Sequence, residues 1–209
     1  MNVIMKNNYL KRLQNLILRK TQFVSSIPSE KKIVYLTFDD GPEERITEFV
    51  LDELDKYEFK ATFFCRGDNA EKHPELFRKL CERGHSIGNH TYNHFHSFET
   101  NSAIYALDVE KANAILQTEL FRPPHGCLTF SAWLRIHKDK RLFFWSLNSG
   151  DSDMNNFIFM DNINMLMTKT RPGDIVLFHF CHLHEKRTKE LLPVYLKWLS
   201  ENGYKSAKL

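Results

Sequence analysis

Ile33-Val34-Tyr35-Leu36-Thr37-Phe38-Asp39-Asp40-Gly41-Pro42 is the stretch from which the rest of the chain can be read. Its first six residues have the β-branched and aromatic character of a strand, and Asp-Asp-Gly-Pro ends it with turn chemistry. Beyond the turn, Ile46, Phe49, Val50, Leu54 and Tyr57 recur at helical spacing. Residues 61–65 read as the next strand. Pro74 opens and Gly84 closes a helix with Leu76, Phe77, Leu80 and Cys81 on its inner side.

The alternation continues to the C-terminus. Strands are expected at 85–88, 120–122, 142–147, 174–178 and 204–209. Between them, helices are expected at 102–116, 129–137, 154–170 and 191–200, the last begun by Pro193. Strands separated by helices mean a parallel sheet covered by helices, and six or seven such units favour a barrel over an open sheet. The expected fold is α/β: a distorted (β/α) barrel of about seven parallel strands, in a single domain.

The 209 residues, 42% hydrophobic and 26% charged, fit one core and exclude a disordered chain, a collagen-like fibre or a repeat array. The net charge of +3 is unevenly spread, because Lys6, Lys11, Arg12, Arg19 and Lys20 all precede the first acidic residue, Glu30. The remainder is slightly acidic, which argues against a nucleic-acid partner. We therefore divide the chain into a basic N-terminal leader, residues 1–30, and a catalytic domain, residues 31–209. In the leader, Tyr9, Leu10, Leu13, Leu16 and Ile17 predict a short amphipathic helix. Packing on the barrel is its preferred role, and peripheral contact with an anionic membrane is the alternative. Leu16-Ile17-Leu18 is too short for a span of about 18 residues or a signal-peptide core of about 7. The expected location is accordingly the cytoplasm or the cytoplasmic face of the membrane. Cys65, Cys81, Cys127 and Cys181 form no Cys-x-x-Cys pair, so reduced, mostly buried thiols are expected and a zinc–thiolate site is not.

Asp39, Asp40, His90, His94, Arg122, Asp151 and His179 all fall at or just beyond the C-terminal ends of expected strands. In parallel α/β folds those ends share one face, where active sites are built. His90-Thr91-Tyr92-Asn93-His94 spaces two imidazoles four residues apart, on one side of a helical turn, within reach of one ion. Asp39 or Asp40 can supply a third ligand and leave the other carboxylate free to take a proton. A metal held by two His and a carboxylate keeps an open position for water, whose pKa it lowers towards about 7.

Five ordered segments carry a resemblance. They are Thr37-Phe38-Asp39-Asp40-Gly41-Pro42, His90-Thr91-Tyr92-Asn93-His94, Arg122-Pro123-Pro124-His125-Gly126, Trp145-Ser146-Leu147-Asn148-Ser149-Gly150-Asp151-Ser152 and Leu177-Phe178-His179. From about Lys31 onward the chain resembles the polysaccharide deacetylase (NodB-homology) family of metal-dependent carbohydrate esterases. The resemblance implies a catalytic set of Asp39 as general base, Arg122 as its clamp, His179 as general acid and Asp151 orienting that acid and raising its pKa. Asp40, His90 and His94 would be the metal ligands. The backbone N–H of His125, with the metal, would hold the developing oxyanion, and Leu177 would wall the acetyl pocket. The implied cofactor is one divalent metal ion, zinc first, with cobalt, nickel and manganese suited to the same ligands.

The fourth segment departs from the family pattern, with Asn148 for its first Asp and Ser152 for its closing Trp, and His125 stands where an aromatic residue is usual. A hydrophobic wall of the sugar groove is therefore expected to be missing. His96, His182 and His184 are read as solvated loop residues, Cys127 and Cys181 as inert thiols, and Trp145 and Trp198 as core. The implied function is that of a hydrolase removing acetyl from an N-acetylated amino sugar, with an N-acetylglucosamine-containing carbohydrate as substrate and partner. The alternatives are hydrolysis of another linear or cyclic amide on the same fold, and a non-catalytic sugar-binding relative.

Overall fold

The computed structural model describes residues 23–209, so the helix expected around Tyr9–Ile17 lies outside the described residues. Nine strands are found among the described residues: β1 (Phe23–Val24), β2 (Ile33–Asp40), β3 (Ala61–Cys65), β4 (Ser86–Asn89), β5 (Leu120–Phe121), β6 (Arg141–Phe143), β7 (Leu147–Asn148), β8 (Ile175–His179) and β9 (Lys205–Ser206). Seven α-helices are described: α1 (Thr47–Asp55), α2 (Gly67–Lys72), α3 (Pro74–Glu82), α4 (Ser102–Leu116), α5 (Phe130–Ile136), α6 (Phe159–Lys169) and α7 (Glu185–Glu201). No described helix is long and apolar enough to cross a membrane.

The strands run β1-β6-β5-β4-β3-β2-β8-β7, every pair parallel, with β9 added beside the start of β2. The expected parallel barrel is what forms. β2, at its centre, buries Phe38 against Phe63 and Phe178, with ring centroids 5.1 and 5.8 Å away. Val50, Leu51 and Leu54 of α1 and Leu191, Leu192, Tyr195 and Leu196 of α7 close over this layer. Each such side chain contributes roughly 1.5–3 kcal/mol on burial.

The stretch expected as one strand over 142–147 is two. β6 pairs with β5 and β1, whereas β7 pairs with β8 at the other end of the path. Three residues, 144–146, bridge those ends, and three residues span at most about 11 Å. The sheet must therefore curl until its edges nearly meet. At this seam Phe144 N donates to Val24 O (2.8 Å) and Ser146 N to Ile175 O (3.0 Å), so amides two residues apart serve opposite edges of the sheet.

Other differences are local. Helix α7 starts at Glu185 and carries Pro193 inside it, not at its first turn. Leu191, Leu192, Tyr195 and Leu196 are fully buried on either side of the proline, and their packing outweighs the lost hydrogen bond. Helix α6 begins at Phe159, later than its expected start at 154. Helix α2 and strand β1 had no sequence signal of useful length. Of the segment 1–30, Phe23 and Val24 pair with Leu142 and Phe143, and Ile27 N donates to Gly173 O (2.8 Å), tying residues 23–27 to the sheet.

Candidate active site

Parallel pairing sets the chemistry-bearing residues at one level. Asp39 is in register with His179 on one side and Phe64 on the other, and Asp40 with Cys65, itself in register with Asn89. His90 follows β4 directly, Arg122 follows β5, and Asp151 lies three residues past β7. A cavity of about 490 Å³ opens there, lined by Asp39, Asp40, His90, His94, Leu177 and His179. Arg122 and Asp151 stand behind the wall, both fully buried.

Arg122 holds Asp39 as expected. Its Nη1 donates to Asp39 Oδ1 (2.8 Å) and Thr37 Oγ1 (2.9 Å), while Nη2 donates to Phe144 O (2.8 Å). The guanidinium also lies over Phe64, 4.2 Å from the ring centroid. Arg122 therefore serves the seam as well as Asp39, supplying a donor to a backbone carbonyl where the ladder breaks. Asp39 Oδ2 remains on the cavity side, 3.8 Å from His90 Nε2.

The second carboxylate faces the imidazoles. His94 Nε2 is 3.1 Å and His90 Nε2 3.6 Å from Asp40 Oδ1, yet no properly directed hydrogen bond reaches that buried oxygen. His90 Nδ1 lies 2.8 Å from Arg122 O, which can only accept, so the ring proton sits on Nδ1 and the Nε2 lone pair points at Asp40. An orphaned carboxylate oxygen facing two imidazole nitrogens fits a divalent cation held by Asp40, His90 and His94. Burial opposes ionisation of Asp40, but contact with His94 and the charges of His179 and His90 outweigh it and hold the carboxyl far below the usual range. Burial pushes His90 down to about 4.

The two imidazoles meet, but not on a helix. Thr91 N donates to Asn89 Oδ1 (2.8 Å), and Tyr92 N and Asn93 N both donate to Asp108 Oδ2 (2.9 Å each). His94 N donates to Thr91 Oγ1 (3.0 Å). Side-chain acceptors thus replace helical carbonyls and wind residues 90–94 into a tight turn. Asp40, Thr91, His94 and His125 all have positive φ, from 59 to 86°. Backbone strain of this kind persists only where surrounding contacts over-determine it, and here it gathers around one cavity.

Across the cavity, His179 Nδ1 lies 2.8 Å from Asp151 Oδ1, and His179 N donates to Oδ2 (2.7 Å). Thr188 Oγ1 of α7 donates to the same Oδ2 (2.9 Å). Burial would lower the pKa of His179, but the charge and hydrogen bond of Asp151, with Asp40 and Asp39 beyond, raise it to about 9. The imidazolium carries its second N–H on Nε2.

Of the two residues expected to bind substrate, Leu177 lines the cavity, and the His125 ring sits on its rim, 4.6 Å from that of His94. The reading of Trp145 as core holds in part, since it packs against the buried cluster of Phe64, Phe143 and Ile175. It stands at the seam between β6 and β7, half-buried, and lines the cavity. A Cβ at Gly126 would approach its ring to 2.7 Å, so that glycine makes room for the indole edge beside the loop. The wall expected to be lost at Ser152 is thus partly supplied by Trp145, because both line the cavity. Cys181, His182 and His184 line it too, His182 from an exposed position paired with Glu43 (2.7 Å). Asp108 and Thr188 escaped the sequence reading. The available signal was a polar residue on the apolar side of a helix, Asp108 beside Tyr105 and Ala112, and Thr188 before Leu191 and Leu192.

The polysaccharide deacetylase family matches residues 26–139, more than half of the chain. This chain belongs to the polysaccharide deacetylase family. A peptidoglycan-N-acetylglucosamine deacetylase of Bacillus cereus is 31% identical over 196 residues, covering 90% of this chain and 92% of that protein. A second enzyme of that name from the same organism is 33% identical over 168 residues, 77% of this chain and 60% of its own length. The crystal structure of the Bc1960 peptidoglycan N-acetylglucosamine deacetylase, bound to an N-hydroxybenzamide, superposes with a TM-score of 0.84 at 29% identity, covering 92% of both chains. The expected fold and the expected class, a polysaccharide N-deacetylase and hence a hydrolase, agree with these matches.

Proposed function

We propose that this polysaccharide deacetylase removes the acetyl group from N-acetylated amino sugars of a glycan, with peptidoglycan as the first substrate to try. The observation that carries the reading is the meeting, in one cavity, of a clamped carboxylate, an imidazole pair on a second carboxylate, and an imidazolium held by a third. The named relatives act on N-acetylglucosamine of peptidoglycan, which supports that choice of substrate.

Asp40, His90 and His94 would hold one divalent cation, zinc first by the donor set. When bound there, such an ion supplies Lewis acidity, lowering the pKa of a water and polarising a carbonyl. The protein's own groups divide the proton work. Asp39, with Oδ1 engaged by Arg122, keeps Oδ2 free to take a proton from the attacking water. His179 gives the Nε2 proton to the departing amine as the amide C–N bond breaks, since an amine leaves poorly until protonated. Asp151 stays ionised and keeps the ring aimed. Water's oxygen ends in acetate and the free amine is the other product. Leu177 and the His125 backbone would receive the methyl group and the oxygen of the acetyl unit.

The test is acetate release from peptidoglycan and from chitooligosaccharides, measured beside metal content. Asp39→Asn is expected to abolish release and retain metal, while His90→Ala or His94→Ala loses the metal itself. Near-normal turnover by Asp39→Asn would remove Asp39 from the role of base.

A further inference from the structure

Two sets of ligating atoms meet on Asp40. Its Oδ1 faces His90 and His94, while Oδ2 accepts from the thiol of Cys181, Sγ lying 3.5 Å away. A ring nitrogen of His184, the Cys181 sulfur and a carboxylate oxygen of Asp40 all lie within 4.8 Å of one another. Cys181 is buried, and His184 is half-buried and opens on the cavity. We propose that Asp40, Cys181 and His184 form a second cation site beside the first, one that takes thiophilic divalent ions such as zinc, cobalt or cadmium and not magnesium or manganese.

The donor set is the argument. Thiolate, imidazole and carboxylate, with water as a fourth ligand, complete a tetrahedral site for zinc or cobalt. Magnesium and manganese favour oxygen ligands and gain little from sulfur. Because the two oxygens of Asp40 address different partners, the carboxylate can serve both sites as a bridge. Asp39 and Glu43, which line the same cavity, add negative charge that favours a second cation.

Occupancy has two costs. The thiol of Cys181 must release its proton to solvent, because the ligand is the thiolate. His184 must give up a partner, since Arg187 Nη2 donates to its Nδ1 (3.0 Å) and thereby leaves the ring proton on Nε2. Ligation through either nitrogen breaks this arrangement. Arg187 retains its bond from Nε to Asp151 O (2.5 Å). These costs make the second site weaker than the first, so it fills at higher free metal.

The experiment is a cobalt titration of the metal-free full-length chain, following the near-ultraviolet sulfur-to-cobalt charge-transfer band and counting bound ions by equilibrium dialysis. Two ions and a sulfur band are expected in the wild type. Cys181→Ser and His184→Gln, each checked for wild-type circular dichroism, bind the second ion at least about tenfold more weakly. The sulfur band disappears in Cys181→Ser. Cys81→Ser, which removes an exposed thiol, keeps the band. The site is overturned if the wild type shows no sulfur band, or if the band survives Cys181→Ser. The first site rests on the proposed hydrolytic function, and the two readings fail separately. Acetate release without a sulfur band sinks the second site alone, and a sulfur band without acetate release sinks the hydrolytic reading alone.

Discussion

Removing the Arg122 cation tests the structure at its most exacting point. Arg122 is fully buried, and Asp39 is 3% exposed. Arg122→Met keeps much of the stem's volume but deletes the charge and every donor. The Asp39 carboxylate then stays buried without its cation, and Thr37 Oγ1 and Phe144 O each lose a donor. Breaking a buried ion pair from one side costs about 3–5 kcal/mol. For a domain of this size that corresponds to a fall in Tm of about 6–20 °C. Asp39→Asn leaves the buried Arg122 cation without its counter-charge and falls at the lower end of the same range, about 3 kcal/mol, because the amide oxygen can still accept from Nη1. The double variant removes both charges, so its cost should fall short of the sum by about 1–3 kcal/mol. Urea denaturation of the metal-free chain, followed by circular dichroism and tryptophan fluorescence, measures all four corners of the cycle. A cost below about 1 kcal/mol for Arg122→Met, or additivity within about 0.5 kcal/mol, would refute the buried clamp.

Three further outcomes are expected. His179, raised from 6.5 to about 9 in the folded chain, contributes stability that is complete below pH 6.5 and is lost as pH rises through about 9. Its partner Asp151, held below its ordinary 3.8 against the effect of burial by the charge and hydrogen bonds of His179, contributes above that pH and loses the contribution as pH falls through its lowered value. Asp151→Asn should therefore bring the His179 titration, read by NMR, well down from about 9, since burial is then opposed only by the more distant charges of Asp40 and Asp39. A shift of less than about one unit would contradict the pairing. His179→Ala should slow amide cleavage by about 10²–10⁴-fold but cleavage of an activated acetate ester far less; equal losses would remove His179 from the role of acid. Gly88→Ala places a methyl group in the ring of Phe64, on which Arg122 rests, and should cost about 1–3 kcal/mol with a matching loss of acetate release. Wild-type stability would show that Phe64 can yield without disturbing the clamp.

Much of the site was legible because its residues lie at strand ends, and strand ends are marked by local chemistry. Asp39-Asp40-Gly41-Pro42 and Arg122-Pro123-Pro124 announce where a strand must stop, and parallel pairing then levels those stops across the sheet. Asp108 and Thr188 were not legible, because a polar residue on a helix becomes an acceptor or donor for a distant loop only once that helix has docked. The spacing of His90 and His94 predicts that the two rings meet, as they do, but by the wrong geometry. Four-residue separation brings two rings together in a helical turn or in the strained turn that Asp108 holds, and only docking of α4 chooses between them.

Alternation of strands and helices, the five ordered motifs and the uneven charge are properties of the sequence, since each depends on neighbours a few residues apart. The seam is not. In Leu142-Phe143-Phe144-Trp145-Ser146-Leu147 every residue but one is apolar, so nothing local says where pairing to β5 ends and pairing to β8 begins. Curling of the sheet makes that break, because its two edges approach within three residues of each other. The break makes Trp145 a cavity wall as well as a core contact and supplies the carbonyl that Arg122 holds. It is likewise the return of β8 beside β2 that sets Cys181 and His184 against Asp40, some 140 residues away in the chain.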